Sequence, residues 1–399
     1  MNQQVELNLK ELPKEFCVLL EFLKRENESA ITQINKEMLA DLDWQEFYNL
    51  AIHHRVFPLL VSKLKKVDGI PNEVTHLLYQ QYRRNTFRML QLSAEMEQLS
   101  HIFSENDIRL LHLKGPVLAS DLYGELSLRT CGDLDMLVSI DDVNQVDHLL
   151  SSLGYEKDDY IETVLGDWRW RHHHVTYFHS EKPIKVEIHW RLNPGPGFEP
   201  SFNELWQRKR VSSNSTSCPV YYLEREDLFF FLVTHGARHG WSRLRWLMDI
   251  DQMLRQDLQW GKLERRFKQY NALHVGGQAL ILTSQLLNVP IPEKAQNFIR
   301  GNHSKFLAQE AIFYLERMVS LHSLPVPENV AFYHKKHLFH LMSVQQRLLF
   351  ILSFLYPYPE DADTLPLPKK LHFLYFPLRP FLWAWRKSTK QGLGRRRVS

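Results

Sequence analysis

The chain has 399 residues, with 49 Lys and Arg against 46 Asp and Glu, so its formal charge of +3 names no nucleic-acid or acidic partner. Three cysteines without a CxxC pair argue against a disulfide framework or a zinc ribbon, and no run of 18 apolar residues is present to cross a bilayer. The first residues lack a basic segment followed by an apolar one, so no secretory signal and a cytoplasmic location are expected.

Up to about Asn106 the chain reads as helices. Asp43 with Glu46 predicts a capping box, ahead of Phe47, Leu50, Ala51 and Val56 near one face. A longer helix from about Pro71 carries Val74, Leu78, Met89, Leu92, Met96, Leu99 and Phe103 at spacings of mostly three and four. His53 and His54 are adjacent on a helix and point apart, which argues against a metal pair.

The stretch from Leu110 to Val138 organises the rest. A short apolar run predicts a buried strand, Lys114-Gly115 follows, and a helix runs from about Val117 to Tyr123. In Gly132-Asp133-Leu134-Asp135-Met136, alternation predicts a second strand with both carboxylates on one face. Two residues along a strand span roughly 6.6 Å. At that distance two carboxylates can bind one cation or bracket two, and a divalent metal supplies the missing counter-charge. Asp141–Leu153 reads as a helix ending at Gly154. Residues 173–180 and 184–190 read as an antiparallel hairpin, with Lys185, Glu187 and His189 sharing one face. Glu187 is thus a third carboxylate on a neighbouring strand. The run His172-His173-His174 offers no metal-ligand spacing on one face.

Beyond the loop at 193–200, helices resume from about Glu224, at 227–239 and 242–255, and continue to about Tyr356. His235 and His239 stand at i, i+4 without the glutamate of a zincin. With Arg238, Arg243 and Asp249 they read as a polar face turned toward a substrate cleft, to which His189 and Arg191 also belong. The C-terminal segment is rich in aromatics and proline and ends in the basic GLGRRRVS. Four prolines argue against an amphipathic helix there, so the expectation is an arm that packs its aromatics on the helical region and ends in a solvated tail. A peripheral membrane or RNA contact is the alternative.

These residues carry a resemblance. Lys114-Gly115, then Arg129 ahead of Gly132-Asp133-Leu134-Asp135, then Glu187-Ile188-His189-Trp190-Arg191 resemble, in that order, a bacterial family of uncharacterised nucleotidyltransferases within the polymerase-β-type superfamily. The likeness takes in residues 51–60 upstream and 235–251 downstream, and the Lys-Gly and Arg-x-x-x-Asp-x-Asp arrangement is similar to abortive-infection toxin nucleotidyltransferases as well. The resemblance implies an α+β fold: a polymerase-β-like core with a mixed sheet over 106–222, a helical region over 1–105, a helical domain over 223–357, and an arm and tail over 358–399. It implies an NTP substrate such as ATP, Mg²⁺ or Mn²⁺ held by Asp133, Asp135 and Glu187, and transfer of NMP to an unidentified acceptor. Glu187 is also a candidate to take the acceptor's proton. Lys114 and Arg129 become candidates for the β- and γ-phosphates, with Gly115 and Gly132 allowing close backbone approach. Plainer roles stand beside these: Arg129 in a salt bridge, Glu187 paired with Lys185, Lys114 paired with Asp121 or Glu125.

Two features depart from the superfamily. Pro116 follows Gly115 and donates no N–H, and the interval from Gly115 to Asp133 is long. Lys114 is expected to replace the missing donor as a point charge. A catalytically degenerate binder, or a nucleic-acid binder using the basic tail, are the alternative functions.

Overall fold

The computed structural model describes residues 6–24, 36–161, 163–213, 218–321 and 325–395. The end of the basic tail, from Arg396, lies outside them. Seven strands form one mixed sheet: β1 Leu111–His112, β2 Leu134–Leu137, β3 Tyr155–Lys157, β4 His174–His179, β5 Lys185–His189, β6 Arg210–Val211 and β7 Tyr221–Tyr222, in the order β3-β4-β5-β2-β1-β7-β6. The β4–β5 hairpin forms as expected, and β5 then lies parallel to β2. That crossover puts the two carboxylate-bearing strands side by side. Leu134, Met136, Val186 and Ile188 alternate with the charged residues and are fully buried.

Two apolar cores support the sheet. Met89, Leu92, Met96, Leu99 and Phe103, on the helix Asn72–Glu105, pack with β2 and β5 in one of them. Val74 and Leu78, earlier on the same helix, belong to the other core, which joins the N-terminal helices to those from Arg225 onward. The helix Lys14–Leu23, for example, packs against Leu273–Leu287. The helical regions on either side of the sheet in sequence therefore share one interior, which also holds the helix Arg225–Arg238.

Local details differ from expectation in two places. Asp43 caps the helix Trp44–His53 by accepting from Gln45 and Glu46 N–H, but its own N–H donates to Glu15 Oε1, so Glu46 does not close a box. The C-terminal arm contains a helix, Tyr375–Arg395, with Pro380 inside it. Proline costs that helix one hydrogen bond, and the arm is instead held by ion pairs of Arg379 and Arg386 with the buried Asp361. Tyr375 is buried, but Phe381, Trp383 and Trp385 stand more than half exposed, so these aromatics do not pack as expected.

Candidate active site

Register decides the site. In the parallel β2–β5 ladder Asp135 lies opposite Glu187 and Leu137 opposite His189, and β4 sets His174 opposite His189. His189 Nε2 donates to Asp135 Oδ1 at 3.2 Å and stands 3.6 Å from Glu187 Oε2. Lys114 Nζ reaches Asp135 Oδ1 at 3.0 Å, and Lys185 Nζ spans Asp133 Oδ2 at 3.2 Å and Glu187 Oε1 at 2.7 Å. Lys114 thus pairs with Asp135; Asp121 takes Arg210 instead.

These contacts set the ionisation of the group. Burial raises the Asp135 carboxyl, but Lys114 and the His189 hydrogen bond outweigh it and hold it below its ordinary value. Burial likewise opposes charge on Glu187, and His189, His174 and Lys185 together hold it well below the carboxylate range. Asp133 moves the other way, raised by burial and by its neighbours Asp135 and Glu187. Burial disfavours a charged His189, yet its bonds to Asp135 and Glu187 raise it. His174, buried beside His189, is pushed down to about 3 and stays neutral.

The donor set suits a divalent cation. Asp135, Glu187 and His189 each offer a ligand atom, all within 4.8 Å of one another, and His173, His174 and His189 form a second such set. Asp135 Oδ2 and His189 Nδ1 are buried without a hydrogen-bond partner. An orphaned carboxylate oxygen of this kind is costly unless something binds it. Asp133 lies outside both sets among the described residues and touches this cluster through Lys185. The spacing argument against the histidine run fails at His173, which precedes β4: its carbonyl accepts from Trp190 N, and its ring lies 5.5 Å from that of His189. A period-two rule does not hold beyond a strand's end.

Gly115, at φ +89°, precedes the helix Pro116–Tyr123. A side chain would be strained there, whereas Pro116 occupies the first helical position, where its missing N–H has no intrahelical acceptor in any case. Gly132 lies between Cys131 and Asp133 ahead of β2, and its carbonyl accepts from Arg88 Nη2.

The remaining predicted residues separate. Arg129 is buried, and its Nε and Nη2 each donate to Asp249 at 2.9 Å, with Tyr123 Oη donating to the same carboxylate. Arg243 donates to the carbonyl of His53. His53 and His54 thus receive the start of the helix Leu244–Leu254, since Arg245 N also donates to the His54 carbonyl. Arg191 pairs with Glu199 at 3.5 Å. His235 and Arg238 do come to the strand face. His235 is buried among the charges of Lys114, Arg238 and Arg245 and held neutral, its ring 4.6 Å from that of His239, and Arg238 Nη1 donates to His173 Nε2 at 3.0 Å.

Sequence reasoning passed over Arg245. Its Nη1 donates to the Thr130 carbonyl, its Nε is buried and unpaired, and burial followed by the charges of Arg129 and Arg55 pushes its pKa down to about 9. One signal was available: Arg243 and Arg245 flank Leu244 at the start of a predicted helix.

A mixed sheet bearing Asp135 on one strand, Asp133 just ahead of it and Glu187 on the parallel neighbour, between helical layers, fits an α+β protein of the nucleotidyltransferase class. The chain belongs to the family described as uncharacterised nucleotidyltransferase, whose model matches residues 40–288. No curated protein matches it. Among the described residues no helix is long and apolar enough to cross a membrane.

Proposed function

We propose that this chain is a metal-dependent nucleotidyltransferase that moves NMP from an NTP to a hydroxyl or similar nucleophile. One observation carries the reading: Asp135 and Glu187 face each other across β2 and β5, with His189 between them and Asp135 Oδ2 unpaired. Asp135, Glu187 and His189, with Asp133 beside them, would hold Mg²⁺ or Mn²⁺. An imidazole ligand favours Mn²⁺, because Mg²⁺ prefers oxygen donors. Bound there, such a cation would supply charge neutralisation to the triphosphate.

The chain's own groups then divide the work. Lys114 presents a cation at Asp135, and Arg245, bonded to the Thr130 carbonyl, supplies a second one for the β- and γ-phosphates. Gly115 lets backbone approach closely. The acceptor oxygen bonds to the α-phosphorus, the bond to the bridging oxygen breaks, pyrophosphate leaves with the electron pair, and the hydroxyl proton passes to water.

The test is calorimetry with Mn²⁺ and a non-hydrolysable ATP analogue. Wild type should bind the nucleotide more tightly with metal, and Asp135→Asn should lose that gain while remaining folded. Equal metal-assisted binding by both would reject the assignment. Incubation with labelled NTPs and a cell extract then separates transfer from binding alone.

A further inference from the structure

A cavity of about 300 Å³ opens where β5 ends. Arg191 and Asn193 on its wall follow almost directly after His189, and the loop 194–199 forms one side. Phe230, Val275, Leu338, Leu341, Met342 and Phe350 make the opposite side apolar. Ligand pockets have this volume and this character, mostly apolar with a few placed polar groups.

The charge on that wall is Arg238. Among the described residues no carboxylate stands within ion-pair distance of it. Nη1 donates to His173 Nε2 and Nη2 lies 3.5 Å from His235 Nδ1, while Nε is buried and unpaired. Burial pushes its pKa down to about 10, with Glu187, Glu199 and Asp135 opposing from a distance. Arginine nonetheless keeps its proton, so a buried guanidinium bonded only to neutral rings is an uncompensated charge and favours an anion. The other arginine of the cavity, Arg191, already has Glu199 and the Gly197 carbonyl. Arg238 also joins the cavity to the carboxylates: His173 lies 3.1 Å from His174 Nδ1, and His174 Nε2 lies 3.9 Å from Glu187 Oε2.

We propose that this cavity is the acceptor pocket and takes an amphipathic organic anion, its apolar body against the Phe230–Phe350 wall and its anionic group on Arg238, so that a hydroxyl on it can reach the metal-binding carboxylates. The assignment as acceptor rests on the transferase reading above. The family match ends at residue 288, yet Leu338, Leu341, Met342 and Phe350 come from beyond it. A wall built outside the shared region suits a substrate particular to this chain better than the nucleotide.

The experiment uses the full chain, 4-phenylbutyrate as probe and its primary amide as the uncharged counterpart, read by calorimetry. The acid should bind with a Kd in the millimolar range or below, at least tenfold tighter than the amide. Arg238→Gln should remove that preference, and Arg238→Lys should keep part of it. Leu341→Trp, which fills the cavity, should abolish binding of both probes while retaining the melting temperature and metal-assisted nucleotide binding; Met342→Trp, on the same wall, repeats this if the first variant fails to fold. The acid should also bind in the presence of Mn²⁺ and the ATP analogue. Absence of saturable binding, equal affinity for acid and amide, or competition with the nucleotide would each overturn the proposal. Loss of metal-assisted nucleotide binding in wild type, with probe binding intact, would reject the transferase reading and leave the anion pocket standing.

Discussion

The strand face and the helix face of this cleft treat charge in opposite ways. On β2 and β5 each carboxylate meets a cation directly: Asp135 has Lys114 and His189, and Asp133 and Glu187 share Lys185. On the helices above, Arg238 and Arg245 are bonded to neutral imidazoles or a carbonyl, with unpaired Nε atoms. A face balanced internally can exist without ligand and exchange its cations for a metal. A face left unbalanced awaits an anion. Arg129 shows what the same helices do when the charge is structural, since Asp249 binds it with two parallel hydrogen bonds and almost no exposure.

Breaking that structural pair should have the largest effect. Arg129→Gln leaves Asp249 buried with a single donor, Tyr123, and should destabilise the fold by roughly 3–5 kcal/mol. Urea unfolding monitored by tryptophan fluorescence measures it. A loss below about 1 kcal/mol, the scale of an exposed pair, would mean the pair is not a structural anchor.

The carboxylates can be ranked next. Asp135→Asn should weaken Mn²⁺ binding by at least the roughly 10–100-fold that losing an outer partner of a metal site costs. Asp133→Asn should cost less, because Asp133 lies outside the converging set. Manganese titration followed by electron paramagnetic resonance compares them, and the reverse order would move the metal toward Asp133.

Lys114→Ala sharpens the contrast between the faces. It removes the counter-charge of a buried carboxylate, so melting should show a loss of about 1–3 kcal/mol, and added Mn²⁺ should restore much of it. The variant should also lose affinity for triphosphate far more than for nucleoside. An unchanged melting temperature and unchanged NTP affinity would together discount both roles.

The smallest effect concerns the helix face. Tripolyphosphate without metal should stabilise the wild type through mass action, by about 2.7 kcal/mol at 100 times its Kd, raising its melting temperature, and Arg245→Gln should shrink that rise. An equal rise in both would remove Arg245 from the phosphate site.

Much of the strand face was legible in the sequence because its signals are local. Alternation in Asp133-Leu134-Asp135-Met136 locates the strand and Asp135 on its charged face, although β2 begins at Leu134 and leaves Asp133 in a bend just ahead of it, and the short 181–183 turn makes the β4–β5 hairpin. Gly115 before a helix is equally local, since a positive φ asks for glycine at that position. The helix face was legible only as a cluster of polar types. Arg238, Arg243, His235 and Asp249 lie within fifteen residues, yet one faces His173, one docks on the His53 carbonyl, one is buried beside Lys114 and one holds Arg129.

Periodicity states which residues share an element's face but not what that face meets. From the sequence alone came the strand with Asp135 and the adjoining Asp133, the third carboxylate on a hairpin, and the helices on both sides. Tertiary structure decided that β5 lies parallel to β2 with Asp135 opposite Glu187, since a crossover through β3 and β4 obeys register and core packing rather than neighbour spacing. It also decided that Arg129 is an anchor while Arg238 and Arg245 stand without a carboxylate. Arginines look alike in sequence, and only the packed interior fixes which of them has an acid within reach.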